Sequence, residues 1–447
     1  MRRHEVLRWL GWGAAPITIG VYLTMTILGN DKTMFLPGMT TSGHYQIEQA
    51  CQVCHTPFKG VTQEACLSCH GAELKAANDS HPKSKFTDPR NADRVTILDA
   101  RQCITCHQEH RPTQTRAMGV TLANDYCFYC HVDVAKDRPS HANLGFATCA
   151  SAGCHNFHDN TALYEDFLLK HRREPPLLPQ GAVPARQLGT ADHPYATRSL
   201  LPLIVNEQNA PADVVVASQL LDDWANTAHA RARVNCLDCH QDKQAPAPSG
   251  WTNKVSHQAC QRCHTNEVDG FLAGKHGMRL AQDLSPMKPE MARQPMNPTA
   301  HGKELGCTSC HAAHRFDTHS AAVEACLSCH NDEHSRVYKD SPHFRLWSEE
   351  LRGQQPRGAG VSCATCHLPR EIHKEEGVET VRTQHNQNLN LRPNEKMIRS
   401  VCLYCHGLDF SLDALADATL VERNFSGQPT LHVKSVEMTE QRAANAR

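Results

Sequence analysis

Aromatic and apolar residues are in short supply in this chain of 447 residues. Tryptophan, tyrosine and phenylalanine make up 6% of the sequence, and the mean hydropathy is −0.51. A chain of this length would ordinarily form two or three domains, but this composition is too polar to fill several aliphatic cores. The regular placing of the cysteines excludes a disordered chain. Something other than ordinary side chains must therefore supply the interior.

No cysteine stands alone in the sequence. All 22 form eleven couples, and each couple is followed at once by a histidine. Ten couples read C-x-x-C-H, whereas the fifth has four residues between its cysteines. The couples are Cys51 and Cys54, Cys66 and Cys69, Cys103 and Cys106, Cys127 and Cys130, Cys149 and Cys154, Cys236 and Cys239, Cys260 and Cys263, Cys307 and Cys310, Cys326 and Cys329, Cys363 and Cys366, and Cys402 and Cys405. The histidines that follow them are His55, His70, His107, His131, His155, His240, His264, His311, His330, His367 and His406.

This spacing is the one that covalent haem attachment requires. Two thiols add to the two vinyl groups of one porphyrin, and the adjacent imidazole binds the iron as its proximal ligand. With 30 histidines in 447 residues, chance would place a histidine after only about one couple in fifteen. Zinc needs four ligands per ion but no histidine after every couple, and disulfides do not need the histidine at all. We therefore predict eleven covalently bound c-type haems.

The porphyrins would also account for the polar composition. Each apolar macrocycle removed from water contributes about 25 cal/mol per Å² buried, as large side chains normally do. The apo chain should accordingly be largely unfolded. The formal net charge of the chain is −1, and one net negative charge per ferric haem brings the holoprotein to about −12. This charge argues against a nucleic-acid partner and favours a basic docking face on a partner redox protein.

The N-terminus indicates export, because haem is attached to cysteines outside the cytoplasm. Arg2, Arg3 and Arg8 precede twenty uncharged residues, 9–28, which would reach about 30 Å as a helix. A cleaved signal peptide would have a shorter apolar stretch and a small-x-small site, and residues 29–32 offer no such site. We predict an uncleaved transmembrane helix over 9–28, with residues 1–8 in the cytoplasm and the haems in the periplasm, anchored to the bacterial inner membrane.

The motifs fall into two groups, five between residues 51 and 155 and six between residues 236 and 406. The predicted divisions are a pentahaem domain over 40–160, a Pro-rich linker and packing helix over 161–228, a hexahaem domain over 229–410, and a C-terminal tail over 411–447. Val, Leu and Trp at helical spacing predict the packing helix at 213–228. The fold class is predicted as mainly α with extensive irregular coil and almost no sheet.

A smaller repeat indicates the second ligand of each iron. A histidine precedes two motifs and another follows them, as in the stretches 44–81, 229–276 and 301–343, which favours duplication of a two-haem unit. The sequence CHxxHR also occurs twice, at 106–111 and 310–315, and its second histidine points to a neighbouring iron. The predicted distal ligands are His44, His81, His110, His141, His158, His229, His276, His301, His314, His343 and His373. The rival candidates are His171, His193, His257, His319, His334 and His385.

Methionine is the alternative distal ligand, and a thioether raises the potential of a haem relative to a second imidazole. Met278, Met287, Met291 and Met296 lie in one Pro-containing stretch that is better explained as a mobile loop. Histidines are numerous enough to give every iron a second imidazole. We therefore predict mostly bis-histidine haems of low potential.

The paired motifs, the preceding histidines, the wide site at 149–155 and the CHxxH elements resemble the class III multihaem c-type cytochromes over roughly residues 44–343. This resemblance implies close-packed bis-histidine haems that pass electrons. Residues 360–408, with GVSCATCHLPREIH and SVCLYCHGL, are similar to the terminal haem sites of ammonia-forming nitrite reductases and octahaem hydroxylamine oxidoreductases. The charged N-terminus with one span resembles membrane-anchored periplasmic quinol-oxidising cytochromes.

Two functions are compatible with these patterns. In the first, the protein relays electrons between the quinone pool or a membrane redox complex and another redox protein, with quinol as a further candidate partner. In the second, it is an oxidoreductase for a small nitrogen or sulfur compound such as nitrite or hydroxylamine, acting at a haem with an open distal position. The best candidate for that haem is the last motif, because no histidine follows His406 until His432. No acid, base or nucleophile stands out, so we predict no catalytic residue and favour the relay.

The ligand prediction can be checked by near-infrared magnetic circular dichroism of the oxidised holoprotein. We expect bis-histidine signals to dominate, because imidazoles rather than thioethers are predicted opposite the proximal ligands. Dominant histidine–methionine signals would contradict the ligand prediction. A colourless or zinc-containing protein from a host that matures c-type cytochromes would overturn haem attachment itself.

Overall fold

The computed structural model describes residues 3–29, 31–78, 81, 83–115, 119–122, 126–137, 157–159, 163, 165–185, 201–241, 250–375, 378–391 and 396–445. Its regular structure consists mostly of short helices joined by irregular coil, as predicted. The α-helices are Arg3–Leu28, Cys51–Cys54, Gln63–Ala76, Lys83–Thr87, Ala92–Ile97, Cys103–Cys106, Val134–Asp137, Glu165–His171, Ser218–Ala225, Ala228–Arg231, Cys236–His240, His257–Gln261, Thr265–Ala273, Cys307–Cys310, Thr318–Ala322, Glu324–Leu327, Glu333–Arg336, Pro342–Leu351, Cys363–His367, Asn388–Leu391, Lys396–Ser400, Leu408–Ala416, Ala418–Glu422 and Ser435–Asn445. Short 3-10 turns lie at Thr33–Phe35, Tyr45–Ile47, Pro89–Asn91, Tyr126–Tyr129, Val205–Glu207, Leu280–Gln282, Pro289–Met291, Pro298–Ala300, Val337–Asp340 and Cys402–Tyr404.

The C-x-x-C-H motifs fold as compact turns. The backbone N–H of the histidine donates to the carbonyl of the first cysteine, for example from His311 to Cys307 at 2.9 Å and from His406 to Cys402 at 2.8 Å. Because residues three and four apart share one face of a helical turn, both thiols and the imidazole come to the same side. The motif by itself therefore builds the local geometry that one porphyrin needs.

Sheet is limited to two small antiparallel hairpins in the part of the chain that the structure describes. His55–Thr56 pairs with Gly60–Val61, and Arg370–Glu375 pairs with Val378–Thr383. The longer hairpin begins just after the motif helix Cys363–His367 and leads directly to His385. It is therefore a connection between ligand-bearing segments rather than part of a core sheet.

Apolar side chains form separate small clusters. One cluster holds Leu163, Leu168, Ile398, Leu408, Leu412 and Val436. A second contains Ala322, Val323, Tyr338 and Trp347, and a third contains Leu203, Trp224 and Ala230. This division agrees with a composition that is too polar for large aliphatic cores.

The linker and the tail both contribute packing helices. Ser218–Ala225 lies within the predicted 213–228 segment, and Trp224 donates its indole N–H to the carbonyl of Val234 at 3.1 Å. The C-terminal helix Ser435–Asn445 packs against Glu165–His171, and Arg442 pairs with Glu165 at 3.2 Å. The tail is thus folded onto the linker. The predicted domain boundaries remain predictions.

The N-terminal helix Arg3–Leu28 covers the segment that the sequence predicts to be membrane-spanning. Within the described chain, however, no helix combines the length and the apolar character that crossing a bilayer requires. Pro16 lies inside this helix. The transmembrane helix over 9–28 stays a prediction.

Truncating Leu412 should destabilise the holoprotein, because this side chain is 4% exposed in the first cluster. We expect Leu412→Ala to lower the free energy of unfolding by about 2 to 5 kcal/mol, since it leaves a cavity. Leu431→Ala is the matched control, because Leu431 is 51% exposed, and it should change stability by less than about 0.5 kcal/mol. Chemical denaturation of the three holoproteins measures the difference, and equal effects would contradict the assigned core.

Candidate haem sites

Each of the ten C-x-x-C-H motifs has its histidine facing a second histidine from elsewhere in the chain. The ring centres of the two imidazoles are 5.9 to 6.4 Å apart in every pair. The pairs, with the motif histidine first, are His55 and His110, His70 and His44, His107 and His158, His131 and His81, His240 and His314, His264 and His229, His311 and His385, His330 and His276, His367 and His334, and His406 and His343.

The spacing of these pairs fits a haem iron between the two rings. An imidazole nitrogen lies about 2 Å from a bound metal ion, and the ring centre lies about 1 Å further away. Two imidazoles that bind one ion from opposite sides therefore have their centres about 6 Å apart. One ring of every pair also lies beside two cysteines that can hold the porphyrin. The residues thus fit ten six-coordinate haems of c type.

The pairing repeats between residues 44–131 and 229–330, which carry four motifs each and which we call the first and second four-motif units. In both units the leading histidine faces the second motif, the CHxxH histidine faces the first, and the histidine after the second motif faces the fourth. The equivalent residues are His44 and His229, His110 and His314, and His81 and His276. The prediction of a duplicated two-haem unit is therefore corrected to a unit of four motifs, because the ligands cross between motif couples.

The two CHxxH histidines share an unusual backbone conformation. His110 has a φ of 62° and His314 a φ of 66°, so both lie in the left-handed region. A residue other than glycine rarely adopts this region without a compensating interaction. Here the turn directs each imidazole away from its own motif and towards the first motif of its unit.

Backbone carbonyls orient many of these imidazoles. Nδ1 donates a hydrogen bond to a carbonyl oxygen, which leaves Nε2 as the atom available to a metal. The donors and acceptors are His81 and Phe157, His107 and Gly119, His110 and Gly38, His240 and Thr252, His385 and Thr383, and His406 and Pro176, at 2.7 to 3.1 Å. His334 donates to the carbonyl of Val421 in the same way.

His44 is held by a carboxylate. Its Nδ1 donates to Oε1 of Glu109 at 2.6 Å, and Glu109 also accepts from the backbone N–H and the hydroxyl of Thr41 at 2.6 and 2.8 Å. Burial acts to raise the pKa of this carboxyl, but the hydrogen bonds from His44 and Thr41 outweigh it and lower the pKa of Glu109 to about 2. Glu109 is therefore a carboxylate at neutral pH.

Several imidazoles are held in the neutral form. Removal from water, with a smaller effect from neighbouring histidines, lowers the pKa of His276, His343 and His367 to about 4. A histidine must be neutral to bind a metal. These three residues therefore need no deprotonation above mildly acidic pH to act as ligands.

The cysteines of successive motifs approach one another. The thiols of Cys66 and Cys103, of Cys260 and Cys307, and of Cys326 and Cys363 are close enough for each to raise or lower the pKa of the other. The thiols of Cys54 and Cys66, Cys239 and Cys260, Cys310 and Cys326, and Cys366 and Cys405 lie close enough to influence each other's pKa. In the second group the motifs therefore follow one another in space in the order of the sequence.

Two residues of the predicted distal set are not brought to a motif histidine in the described structure. His301 is exposed beside a turn in which Gly302 donates to Glu290, and His373 lies on a hairpin strand 3.5 Å from Glu371. His385 and His334, which were rival candidates, face motif histidines instead. His141 and the wide motif Cys149, Cys154 and His155 lie outside the described residues.

Of His334 and His385, which are not in the predicted distal set, only His334 has a local signal in the sequence. His334 follows His330 by four residues, which is one residue more than in the CHxxH elements, so the same logic could have selected it. His385 had no local signal. Gly270 and Gly274 allow the segment 384–387 to approach them closely, and this tertiary contact brings His385 towards His311.

The last motif does not have the open distal position that the enzyme hypothesis requires. His343 faces His406 with ring centres 6.3 Å apart, so a histidine occupies the position opposite the proximal ligand. No methionine from the stretch 278–296 is needed as a distal ligand at the ten described motifs, because each motif histidine there faces a second imidazole. At the described motifs, this arrangement is typical of haems that transfer electrons rather than of haems that bind a substrate at iron.

A family model described as cytochrome c3 matches residues 43–132 and 228–331. These are the two four-motif units, so the similarity and the repeated ligand pairing coincide. No curated protein and no solved structure was found to match the chain. Together with the paired histidines, the family match supports a multihaem c-type cytochrome that binds haem c covalently and transfers electrons.

The contrast between His385 and His301 provides a direct test of the ligand pairs. We expect His385→Ala to convert one haem to a five-coordinate form that binds carbon monoxide when reduced, because it removes the imidazole opposite His311. His301→Ala is the control and should leave all haems low-spin. Electron paramagnetic resonance and carbon monoxide difference spectra of both holoproteins measure the outcome. A five-coordinate haem in His301→Ala but not in His385→Ala would instead support His301 as the ligand.

Proposed function

We propose that this protein relays electrons through eleven covalently bound, mostly bis-histidine haems between a respiratory donor and another redox protein. The observation that carries the proposal is the set of ten histidine pairs, each beside a C-x-x-C couple. When bound, the haem irons supply a series of one-electron couples. At each described site two histidines of the chain would hold the iron, so a bound haem would change oxidation state without gaining or losing a ligand.

The arrangement of the motifs favours transfer along the chain. Electron transfer between fixed cofactors becomes slower as they move apart, so neighbouring attachment sites make a continuous path. Such a path in the second group is supported by the proximity of one thiol to the next, in the pairs Cys239 and Cys260, Cys260 and Cys307, Cys310 and Cys326, Cys326 and Cys363, and Cys366 and Cys402.

A contact between the two units supports electron exchange between them. Lys275 donates its ammonium to the carbonyls of Ser42 and Gly43 at 3.1 and 2.9 Å, next to His44. Lys275 itself precedes His276, so the segments that carry these two ligands touch. Arg279 also donates to the carbonyl of Gln46 at 2.6 Å.

Arg293 holds the same segment from a second direction. Its guanidinium donates to the carbonyl of Thr40 at 2.7 Å, pairs with Glu48 at 3.1 Å and lies over the ring of Tyr45 at 4.8 Å. We call residues 40–48, with Lys275, Arg279 and Arg293, the seam. The seam fixes the first unit against the second on the side where His44 and His276 lie.

The location and the partners follow from the chemistry of haem attachment and from charge. Haem is attached to cysteines outside the cytoplasm, so the working location is the periplasm. The negative charge that the haem propionates add favours partner redox proteins with a basic docking face, and quinol or a membrane redox complex is the expected source or acceptor on the respiratory side.

Protein-film voltammetry of the holoprotein tests the relay against the enzyme. We expect reversible signals that nitrite and hydroxylamine leave unchanged, and we expect no carbon monoxide binding at the ten described motifs, because a second imidazole faces each of their proximal histidines. The His385→Ala holoprotein is the positive control for an opened site. A catalytic current with nitrite or hydroxylamine in the unaltered protein would overturn the relay and favour the oxidoreductase.

A further inference from the structure

The hydrogen bond between His44 and Glu109 differs in kind from the backbone-carbonyl bonds that orient seven other paired imidazoles. A carbonyl acceptor is neutral, as Gly38 is for His110 and Thr383 is for His385. Glu109 places an anionic oxygen at 2.6 Å from Nδ1 of His44. An anionic acceptor draws the ring proton more strongly and makes the opposite nitrogen a better electron donor to a metal.

The charge of Glu109 is not cancelled by a salt bridge among the described residues. Its partners there are the N–H and hydroxyl of Thr41 and the imidazole of His44. His70, which faces His44, also has a carboxylate nearby. Glu73 lies 3.8 Å from Nδ1 of His70, which is too far for a strong hydrogen bond, and Glu73 forms an ion pair with Lys396. Glu109 therefore influences His44 more strongly than Glu73 influences His70.

The second four-motif unit does not repeat this carboxylate. Glu109 is the fourth residue of CHQEHR, and the corresponding residue of CHAAHR is Ala313. The turn is otherwise the same, because His110 and His314 share the left-handed backbone. The sequence therefore departs from its own repeat at the residue that bonds to His44.

We propose that Glu109 is a potential-setting residue, which lowers the reduction potential of the haem held between His44 and His70. This inference rests on the proposed function, because it requires His44 to be an axial ligand. A carboxylate bonded to an axial imidazole stabilises ferric iron more than ferrous iron, through both ligand basicity and charge. Since His44 lies at the seam, the effect acts where the two units exchange electrons.

The test is a spectropotentiometric titration of the full holoprotein with Glu109→Gln. Glutamine retains an oxygen acceptor for His44 but removes the charge, so haem binding should persist. We expect the reduction potential of one haem to rise by at least about 59 mV, which corresponds to a tenfold change in the ratio of its reduced to oxidised forms. The area between the variant and wild-type curves, divided by the signal of one haem, gives the shift.

Glu48→Gln is the matched control. It removes a carboxylate from the same segment, but Glu48 bonds to Thr40 and Arg293 and not to an imidazole. We expect it to move the curve by less than half as much. Equal shifts in the two variants, or a Glu109→Gln curve that superimposes on the wild type, would overturn the inference.

Thr41→Val gives a prediction of opposite sign and serves if Glu109→Gln loses a haem. The substitution removes the hydroxyl that donates to Glu109, so the carboxylate becomes a stronger acceptor for His44. A downward shift of one haem supports the inference, and an upward shift or none contradicts it. If the wild-type spectrum lacked low-spin, bis-histidine signals, the proposed function would be refuted. This outcome distinguishes failure of the proposed function from failure of the inference about Glu109.

Discussion

Two imidazoles that face each other across about 6 Å are the constraint on which the rest of this structure depends. Each pair joins a motif to a distant segment of chain, so the pairs hold together a polypeptide whose apolar clusters are small. The clusters around Leu408 and around Trp347 cover only parts of the molecule. The polar composition is therefore compatible with a folded protein, because cofactor binding and ligand pairing take the place of large aliphatic cores.

The ligand pairs also explain how the chain is organised. Within each four-motif unit the facing histidine comes from a different part of the chain, so no described motif is complete by itself. The third motif of each unit takes its partner from outside, His158 or His385. The units are thereby tied to their neighbouring segments, and the seam at residues 40–48 ties them to each other. Such interlocking favours haems that stay at fixed distances during electron transfer.

Differences between the repeated units locate where electronic properties are adjusted. The ligand pairs of the two units correspond residue by residue, yet Glu109 is replaced by Ala313 in the second unit. A repeated scaffold in which the hydrogen-bond partner of a ligand differs can change the potential of a haem without changing its position. The left-handed turns at His110 and His314 show that the strained part of the scaffold is retained while its neighbour varies.

The sequence by itself determined the mainly helical, coil-rich fold. It also predicts the attachment sites and the proximal histidines, because C-x-x-C-H is a local motif in which one turn of chain carries all the necessary atoms. It also singled out histidines at repeat positions such as His44 and His110. Only the tertiary structure decided which imidazole faces which motif. Which imidazole faces which motif depends on contacts between residues far apart in the chain, such as the approach of 384–387 to Gly270 that brings His385 to His311. His301 is instead exposed, and His373 is half-buried on its strand.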